Sequence, residues 1–124
     1  MRILLADDQP ILPSALRAWV EQLPNSRLVG VVIELISLPA KVATLQPDIL
    51  LLDWELEGME NKEARRNLLQ QLHRQAPRLQ VIALSGQPDG RREALDAGAD
   101  AFISKTESPE QLRLLLTKLL PKNN

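Results

Sequence analysis

Apolar residues along the chain follow two different spacings. Short, largely uninterrupted apolar runs are typical of buried parallel strands, whose two faces are both covered. Such runs fall at residues 2–6, 27–32, 49–53, 79–84 and 100–104. Between and after these runs, apolar residues recur every three or four positions, which predicts amphipathic helices. The helices fall at about residues 11–23, 39–46, 61–75, 88–97 and 109–120.

Strand and helix therefore alternate five times along the chain. This alternation predicts an α/β fold, a five-stranded parallel sheet with helices on both faces, and the flavodoxin-like strand order 2-1-3-4-5 is our first choice. Gly98 after the fourth helix suits a left-handed cap, and Ser108 followed by Pro109 is a strong helix start. Pro13 removes a backbone donor early in the first helix and predicts a delayed start there.

The segment Ile33–Leu38 is apolar where a polar loop between strand and helix is expected. One interpretation is that Leu35, Ile36 and Leu38 fold back on the sheet edge. The other is an exposed apolar patch that binds a partner. We favour the first, because single exposed apolar side chains are common on protein surfaces and require no partner.

Composition narrows the function classes. A chain of 124 residues fits one domain at residues 1–120, which leaves residues 121–124 as a polar tail or the start of a linker. Its 15 basic and 16 acidic residues give a net charge of −1, which argues against direct nucleic-acid binding. The lack of cysteine excludes disulfides and thiolate chemistry, and we expect the one histidine, His73, to be solvated. No run is long enough to span a membrane, and we expect a cytoplasmic protein.

Chemically active side chains follow the predicted strands. Asp7 and Asp8 follow the first strand, Asp53 ends the third, Ser85 follows the fourth and Lys105 follows the fifth. Each has an ordinary interpretation, as a helix cap, a turn residue or a surface charge. However, the carboxyl ends of parallel strands meet at one edge of a sheet, where such folds bind their ligands. We therefore expect these five residues to form one site.

Three neighbouring carboxylates repel one another, and a divalent cation relieves that repulsion. Mg²⁺ prefers oxygen ligands and suits a site of two acids with phosphate oxygens and a backbone carbonyl. With Mg²⁺ and Lys105 neutralising phosphate oxygens, Asp53 could attack phosphorus and form an aspartyl-phosphate. Ser85 would offer its hydroxyl to one phosphate oxygen, and Gly86 would keep the approach open.

The order and spacing of these residues resemble the receiver domain of two-component response regulators over essentially the whole chain. Four segments carry the resemblance: Ile3–Asp8, Pro47–Asp53, Ala83–Gly86 and Ala97–Lys105. The resemblance implies that Asp53 is the phosphate acceptor and that Mg²⁺ is held by Asp7, Asp8, Asp53 and the backbone carbonyl of Glu55. It also implies that the phosphate is contacted by Ser85, Gly86 and Lys105, that Phe102 reports the Ser85 position, and that Glu55 and Gln87 tune the phosphate lifetime.

The same resemblance implies partners. The phosphoryl donor would be a sensor histidine kinase or a phosphotransfer protein. The output would be a change on the face formed by the fourth helix, the fifth strand and the fifth helix, a face that could also form a homodimer. The pattern looks most like receivers that precede a helix-turn-helix DNA-binding domain, fused or separate, which implies transcription regulation. The domain would catalyse its own phosphorylation and dephosphorylation without turning over an external substrate.

Two features depart from the family pattern. Leu56-Glu57 replaces the usual Met-Pro turn, which predicts a looser and more acidic loop, and the apolar Ile33–Leu38 segment puts the second helix in question. Two other classes stay open: a pseudo-receiver that binds a partner without phosphate, and a hydrolase of the haloacid-dehalogenase type with Asp53 as nucleophile and Glu55 as second acid. Flavin binding is disfavoured, because three acids would repel the flavin phosphate.

Overall fold

The computed structural model describes residues 1–9, 18, 20, 22–105 and 109–119. Its strands are β1 (Arg2–Ala6), β2 (Arg27–Val32), β3 (Ile49–Asp53), β4 (Gln80–Ser85) and β5 (Ala101–Ser104). Its helices are α1 (Leu38–Leu45), α2 (Lys62–Gln75), α3 (Arg91–Ala97) and α4 (Pro109–Leu119), with 3₁₀ turns at Leu35–Ser37 and Pro88–Gly90. Most of the predicted first helix, Ser108 and residues 121–124 lie outside the described residues. The predicted fourth and fifth helices are therefore α3 and α4.

The described strands form one parallel sheet in the order β2-β1-β3-β4-β5, which confirms the predicted fold. The strand register fixes which residues meet at the carboxyl edge. Ala6 of β1 pairs with Leu52 of β3, so Asp7 and Asp53 follow at neighbouring positions. Ser85 of β4 pairs with Ser104 of β5, which places Lys105 just beyond that pair.

The central strands are buried on both faces. Leu50 and Leu52 belong to a core that includes residues of α1, α2 and α3, whereas Ile49 and Leu51 belong to a second core that includes residues of α4. This arrangement explains the uninterrupted apolar run that ends at Asp53, and fully burying one leucine contributes about 1.5–3 kcal/mol. Among the described helices, none is long and apolar enough to cross a membrane.

The Ile33–Leu38 segment divides between core and surface. Leu38 is buried and Leu35 packs against the core, as predicted. The prediction for Ile36 is wrong, because its side chain is 88% exposed, and Ile33 is 61% exposed. The 3₁₀ turn at Leu35–Ser37 explains the division, since three residues per turn put positions 35 and 38 on the same side and position 36 on another. The following helix forms nonetheless.

A side-chain contact at the end of α2 and a glycine cap at the end of α3 position these two helices against the sheet. His73 of α2 lies with Nε2 3.0 Å from Asp100 Oδ2, and the same oxygen accepts the Val81 N–H at 2.8 Å. The His73 side chain is 30% exposed, so it keeps the predicted contact with solvent, and it also reaches Asp100 because the last turn of α2 lies against the connection before β5. Gly98 ends α3 with φ of 116°, which confirms the left-handed cap, and a Cβ atom there would lie 3.4 Å from Leu69 Cβ.

Candidate functional site

The acidic cluster, formed by Asp7, Asp8 and Asp53, lies at the carboxyl ends of β1 and β3. Each carboxylate offers one oxygen, and these oxygens lie within 4.8 Å of one another. Asp7 and Asp53 are buried, whereas Asp8 is exposed. The predicted convergence of the three acids is confirmed, and Asp8 leaves the cluster open to solvent on one side.

Lys105 lies at the end of β5 and contacts the acidic cluster. Its Nζ is 2.9 Å from Asp53 Oδ1 and 3.3 Å from Asp7 Oδ2, and its backbone N–H donates to the Ser85 carbonyl at 2.7 Å. Burial opposes the charge on Lys105, but the hydrogen bond to Asp53 and the charges of both carboxylates outweigh burial and raise the pKa of Lys105. Lys105 is therefore a fixed positive charge beside Asp53.

The Lys105 ammonium only partly balances the negative charge of the buried Asp7 carboxylate. Its Oδ1 accepts the Gln9 N–H at 2.8 Å, but its buried Oδ2 has no hydrogen-bond partner among the described residues. Burial raises the pKa of Asp7, the charge of Asp53 adds to the effect, and the Gln9 and Lys105 interactions only partly oppose it. An all-oxygen ligand set fits Mg²⁺, and the buried Asp7 Oδ2, whose described contact is the 3.3 Å ion pair with Lys105, has room for a further cation contact.

Asp53 is fixed on one of its two oxygens. The backbone N–H of Glu55 donates to Asp53 Oδ1 at 3.0 Å, and the Lys105 ammonium donates to the same atom. Among the described residues, no hydrogen bond ends on Oδ2 of Asp53. The carboxylate is thus held in one orientation by its Oδ1, while the lone pairs of Oδ2 accept no hydrogen bond from the described residues.

The loop after Asp53 is held by hydrogen bonds within its own backbone, and its looseness relative to a Met-Pro turn remains a prediction. The Leu56 N–H donates to the Asp53 carbonyl at 3.2 Å, and the Met59 N–H donates to the Leu56 carbonyl at 2.9 Å. Leu56 and Met59 are buried in the core, and Gly58 adopts a positive φ of 103° between them. Glu57 is exposed, so the extra acid points into solvent.

On the other side of Asp53 lies a donor pair, formed by the Ser85 hydroxyl and the Gly86 backbone N–H. The hydroxyl donates to Glu55 Oε2 at 2.6 Å, and the N–H donates to Glu55 Oε1 at 2.8 Å. The Gln87 N–H in turn donates to Ser85 Oγ at 2.9 Å. The sequence did not predict this contact, because a loop glutamate two residues beyond a strand has many accessible rotamers.

Phe102 of β5 lies beside Ser85. Its ring is buried, and a Cβ atom at Gly90 would lie 3.5 Å from Phe102 Cε2 and 4.0 Å from Ser85 Oγ. Both side chains therefore line the space next to Gly90, and the Arg91 guanidinium lies 5.5 Å from the ring centroid. The two side chains are thus near each other, and the role of Phe102 in reporting the Ser85 position remains a prediction.

The family model described as "Response regulator receiver domain" matches residues 3–117. The chain belongs to this family. The receiver domain is 26% identical to the transcriptional regulatory protein LiaR of Bacillus subtilis, over 90% of this chain and 52% of LiaR. It is 25% identical to protein-glutamate methylesterase/protein-glutamine glutaminase 1 of Geobacter sulfurreducens, over 98% of this chain and 34% of that protein. It thus spans about half of one relative and a third of the other.

Solved structures share the same fold. The structure of RcsB from Salmonella enterica serovar Typhimurium, bound to promoter rprA with the phosphomimetic BeF3-, aligns with a TM-score of 0.81 and 24% identity. The alignment covers 96% of this chain and 59% of RcsB. At this identity, the likeness supports the receiver fold of this chain.

The receiver domain also contains an ion pair between α2 and α3. Arg65 of α2 pairs with Glu93 of α3, and its guanidinium lies 5.1 Å from the ring centroid of Trp54. Trp54 directly follows Asp53 and is buried. This contact connects the residue beside Asp53 to both helices. No sequence pattern indicated it, because the three residues lie in separate elements.

Proposed function

We propose that this receiver domain accepts a phosphoryl group on Asp53, with Mg²⁺, from a histidine kinase or phosphotransfer protein. One observation carries the proposal. The buried Asp53 carboxylate is held by Lys105 and lies within ligand distance of two further acids. The family match supplies the signalling context.

In the proposed reaction, an Asp53 carboxylate oxygen forms a bond to phosphorus as the bond between phosphorus and the donor's histidine nitrogen breaks. The nitrogen keeps the electron pair of the broken bond. Lys105 and the Glu55 N–H hold Oδ1 of Asp53, which leaves Oδ2 as the nucleophilic atom. Lys105 also stabilises the negative charge on the transferred phosphoryl oxygens.

Asp7, Asp8 and Asp53 would hold Mg²⁺, with the Glu55 carbonyl as the further proposed ligand. When bound, Mg²⁺ neutralises charge on the carboxylates and on phosphoryl oxygens. The Ser85 hydroxyl and the Gly86 N–H would donate to a phosphoryl oxygen on the opposite side. We propose no turnover of an external substrate, and Glu55 and Gln87 would affect how fast the phosphate is lost.

The output is a further part of the proposal. Phe102 belongs to β5, so a change at Ser85 would reach the surface formed by α3, β5 and α4, which could also pair two copies. LiaR is named a transcriptional regulator, and the Geobacter sulfurreducens relative is named a methylesterase. Because both are longer than this chain, we propose an attached or separate output domain, DNA-binding as in the first case, and a cytoplasmic location.

The alternative is a pseudo-receiver that binds a partner without phosphate. The observation that favours it is the Glu55 carboxylate, which already accepts hydrogen bonds from both Ser85 and Gly86. A domain that supplies its own anion could adopt one signalling state permanently. The two functions differ in whether Asp53 is ever modified.

Incubation with acetyl phosphate and Mg²⁺, followed by intact-mass measurement, tests the proposal. The wild type should gain the mass of one phosphoryl group, and Asp53→Asn should gain none. No mass gain on the wild type would favour the pseudo-receiver. Repeated turnover of small phosphate esters would instead indicate the hydrolase.

A further inference from the structure

The side chain of Glu55 reaches across the site from the β3 end to the β4 end. Its backbone N–H donates to Asp53 Oδ1, while its two carboxylate oxygens accept from the Ser85 hydroxyl and the Gly86 N–H. Both carboxylate oxygens are therefore engaged. Glu57 of the same loop is exposed, as Glu55 is, but makes no hydrogen bond or ion pair with any described residue.

The donor pair has the chemistry of an anion site. A hydroxyl and an adjacent backbone N–H, both directed at a carboxylate, form charge-assisted hydrogen bonds that are stronger than neutral ones. The distances of 2.6 Å and 2.8 Å are those of such bonds. The carboxylate of Glu55 thus presents two oxygens where an external anion beside Asp53 would present its own.

We propose that Glu55 is an intramolecular ligand of the donor pair, and that a phosphoryl group on Asp53 must displace it. This inference rests on the proposed phosphorylation of Asp53. Displacement costs the two hydrogen bonds to Glu55 before the phosphoryl oxygen gains its own, and it leaves the carboxylate beside a second anion. Glu55 therefore weakens anion binding in the wild type and holds the Ser85 hydroxyl in position in the absence of phosphate.

Binding of beryllofluoride, a phosphoryl mimic, tests this inference without a covalent step. The half-saturating concentration is measured by ¹⁹F NMR with Mg²⁺ for the wild type, Glu55→Ala, Glu55→Gln and the matched control Glu57→Gln. Glu55→Ala should bind about tenfold more tightly, the equivalent of one charge-assisted hydrogen bond. Glu55→Gln should fall between the two, and Glu57→Gln should match the wild type.

A second measurement detects the contact itself. The amide proton of Gly86 should move upfield in Glu55→Ala without beryllofluoride, because it loses its carboxylate acceptor, and it should not move in Glu57→Gln. Urea unfolding of each variant verifies that it is folded.

Each binding outcome decides between the inference and the proposed function. Tighter binding by Glu55→Ala, or binding by that variant alone, supports the inference. Equal binding by the wild type and Glu55→Ala, or weaker binding by Glu55→Ala, overturns the inference and leaves the phosphoacceptor role intact. Absence of binding by all four folded proteins overturns both.

Discussion

The acidic cluster and the donor pair lie on opposite sides of Asp53 and differ in how far the chain satisfies them. In the acidic cluster, the Lys105 ammonium contacts two of the three carboxylates, Asp7 and Asp53, and the buried Oδ2 of Asp7 has no partner among the described residues beyond that 3.3 Å ion pair. In the donor pair, both donors already contact the Glu55 carboxylate. A cation can therefore bind to the acidic cluster without displacing a side chain, whereas an anion that binds to the donor pair must first displace the Glu55 carboxylate.

Removal of one acid should have the largest effect on this contrast. At about 100 times its Kd, Mg²⁺ should add about 2.7 kcal/mol to the free energy of unfolding of the wild type. Asp7→Asn should lose most of that gain, since it removes a charged ligand. Urea unfolding with and without Mg²⁺ measures both values, and the exposed Asp96→Asn serves as a control that should respond like the wild type.

Without Mg²⁺, we expect the opposite order of stability, with Asp7→Asn more stable than the wild type near neutral pH. The raised pKa of Asp7 means that the folded protein binds a proton there more tightly than the unfolded chain does. Wild-type stability should therefore fall relative to Asp7→Asn as the pH rises above the ordinary value of 3.8 and through the raised pKa. If Mg²⁺ raised the free energy of unfolding of Asp7→Asn as much as that of the wild type, the proposed role of Asp7 as a metal ligand would be contradicted.

Removal of the Lys105 ammonium should have the next largest effect. Lys105→Met keeps the aliphatic stem but leaves Asp7 and Asp53 without their ammonium. We expect a loss of about 2 kcal/mol in the free energy of unfolding at neutral pH, less than for a fully buried pair because Lys105 is 19% exposed. Mg²⁺ should restore part of this loss. Lys41→Met removes an exposed lysine without a described ion pair and should change stability little.

Removal of the Ser85 hydroxyl should have a smaller effect that depends on Glu55. Ser85 donates to Glu55 before the anion binds and to the anion afterwards, so Ser85→Ala removes one interaction from each state. We expect beryllofluoride binding to weaken about tenfold in the Glu55→Ala background and by less when Glu55 is present. If Ser85→Ala weakened beryllofluoride binding equally with and without the Glu55 carboxylate, as measured by ¹⁹F NMR, then Glu55 and the anion would not compete for the same donors.

A methyl group at Gly86 should have the smallest effect. A Cβ atom there would lie 3.7 Å from Glu55 Oε1, an ordinary contact distance, and the N–H donor would remain. We expect Gly86→Ala to change the free energy of unfolding by less than about 0.5 kcal/mol and to leave beryllofluoride binding unchanged. A large loss in the same titration would mean that the gap beside Gly86, and not its N–H, matters for the anion.

The sequence was sufficient to predict the acidic cluster but not the donor pair's occupant. Asp7, Asp53 and Lys105 directly follow or end buried strands, whose register in a parallel sheet determines where those residues lie. Glu55 is in an irregular loop, and its contact depends on a side-chain rotamer that no periodic pattern specifies. The exposed Ile36 was mispredicted for a related reason, because the 3₁₀ turn at Leu35–Ser37 lies in a connection whose local geometry no periodic pattern specifies.

The proposed phosphoacceptor role of Asp53 is tested most directly by locating the modified residue. After treatment with acetyl phosphate and Mg²⁺, borohydride reduction converts an aspartyl-phosphate to homoserine, and peptide mass spectrometry locates it. We predict homoserine at position 53 alone in the wild type and at no position in Asp53→Asn. Homoserine at Asp7 or Asp8, or none in the wild type, would contradict the role proposed for Asp53.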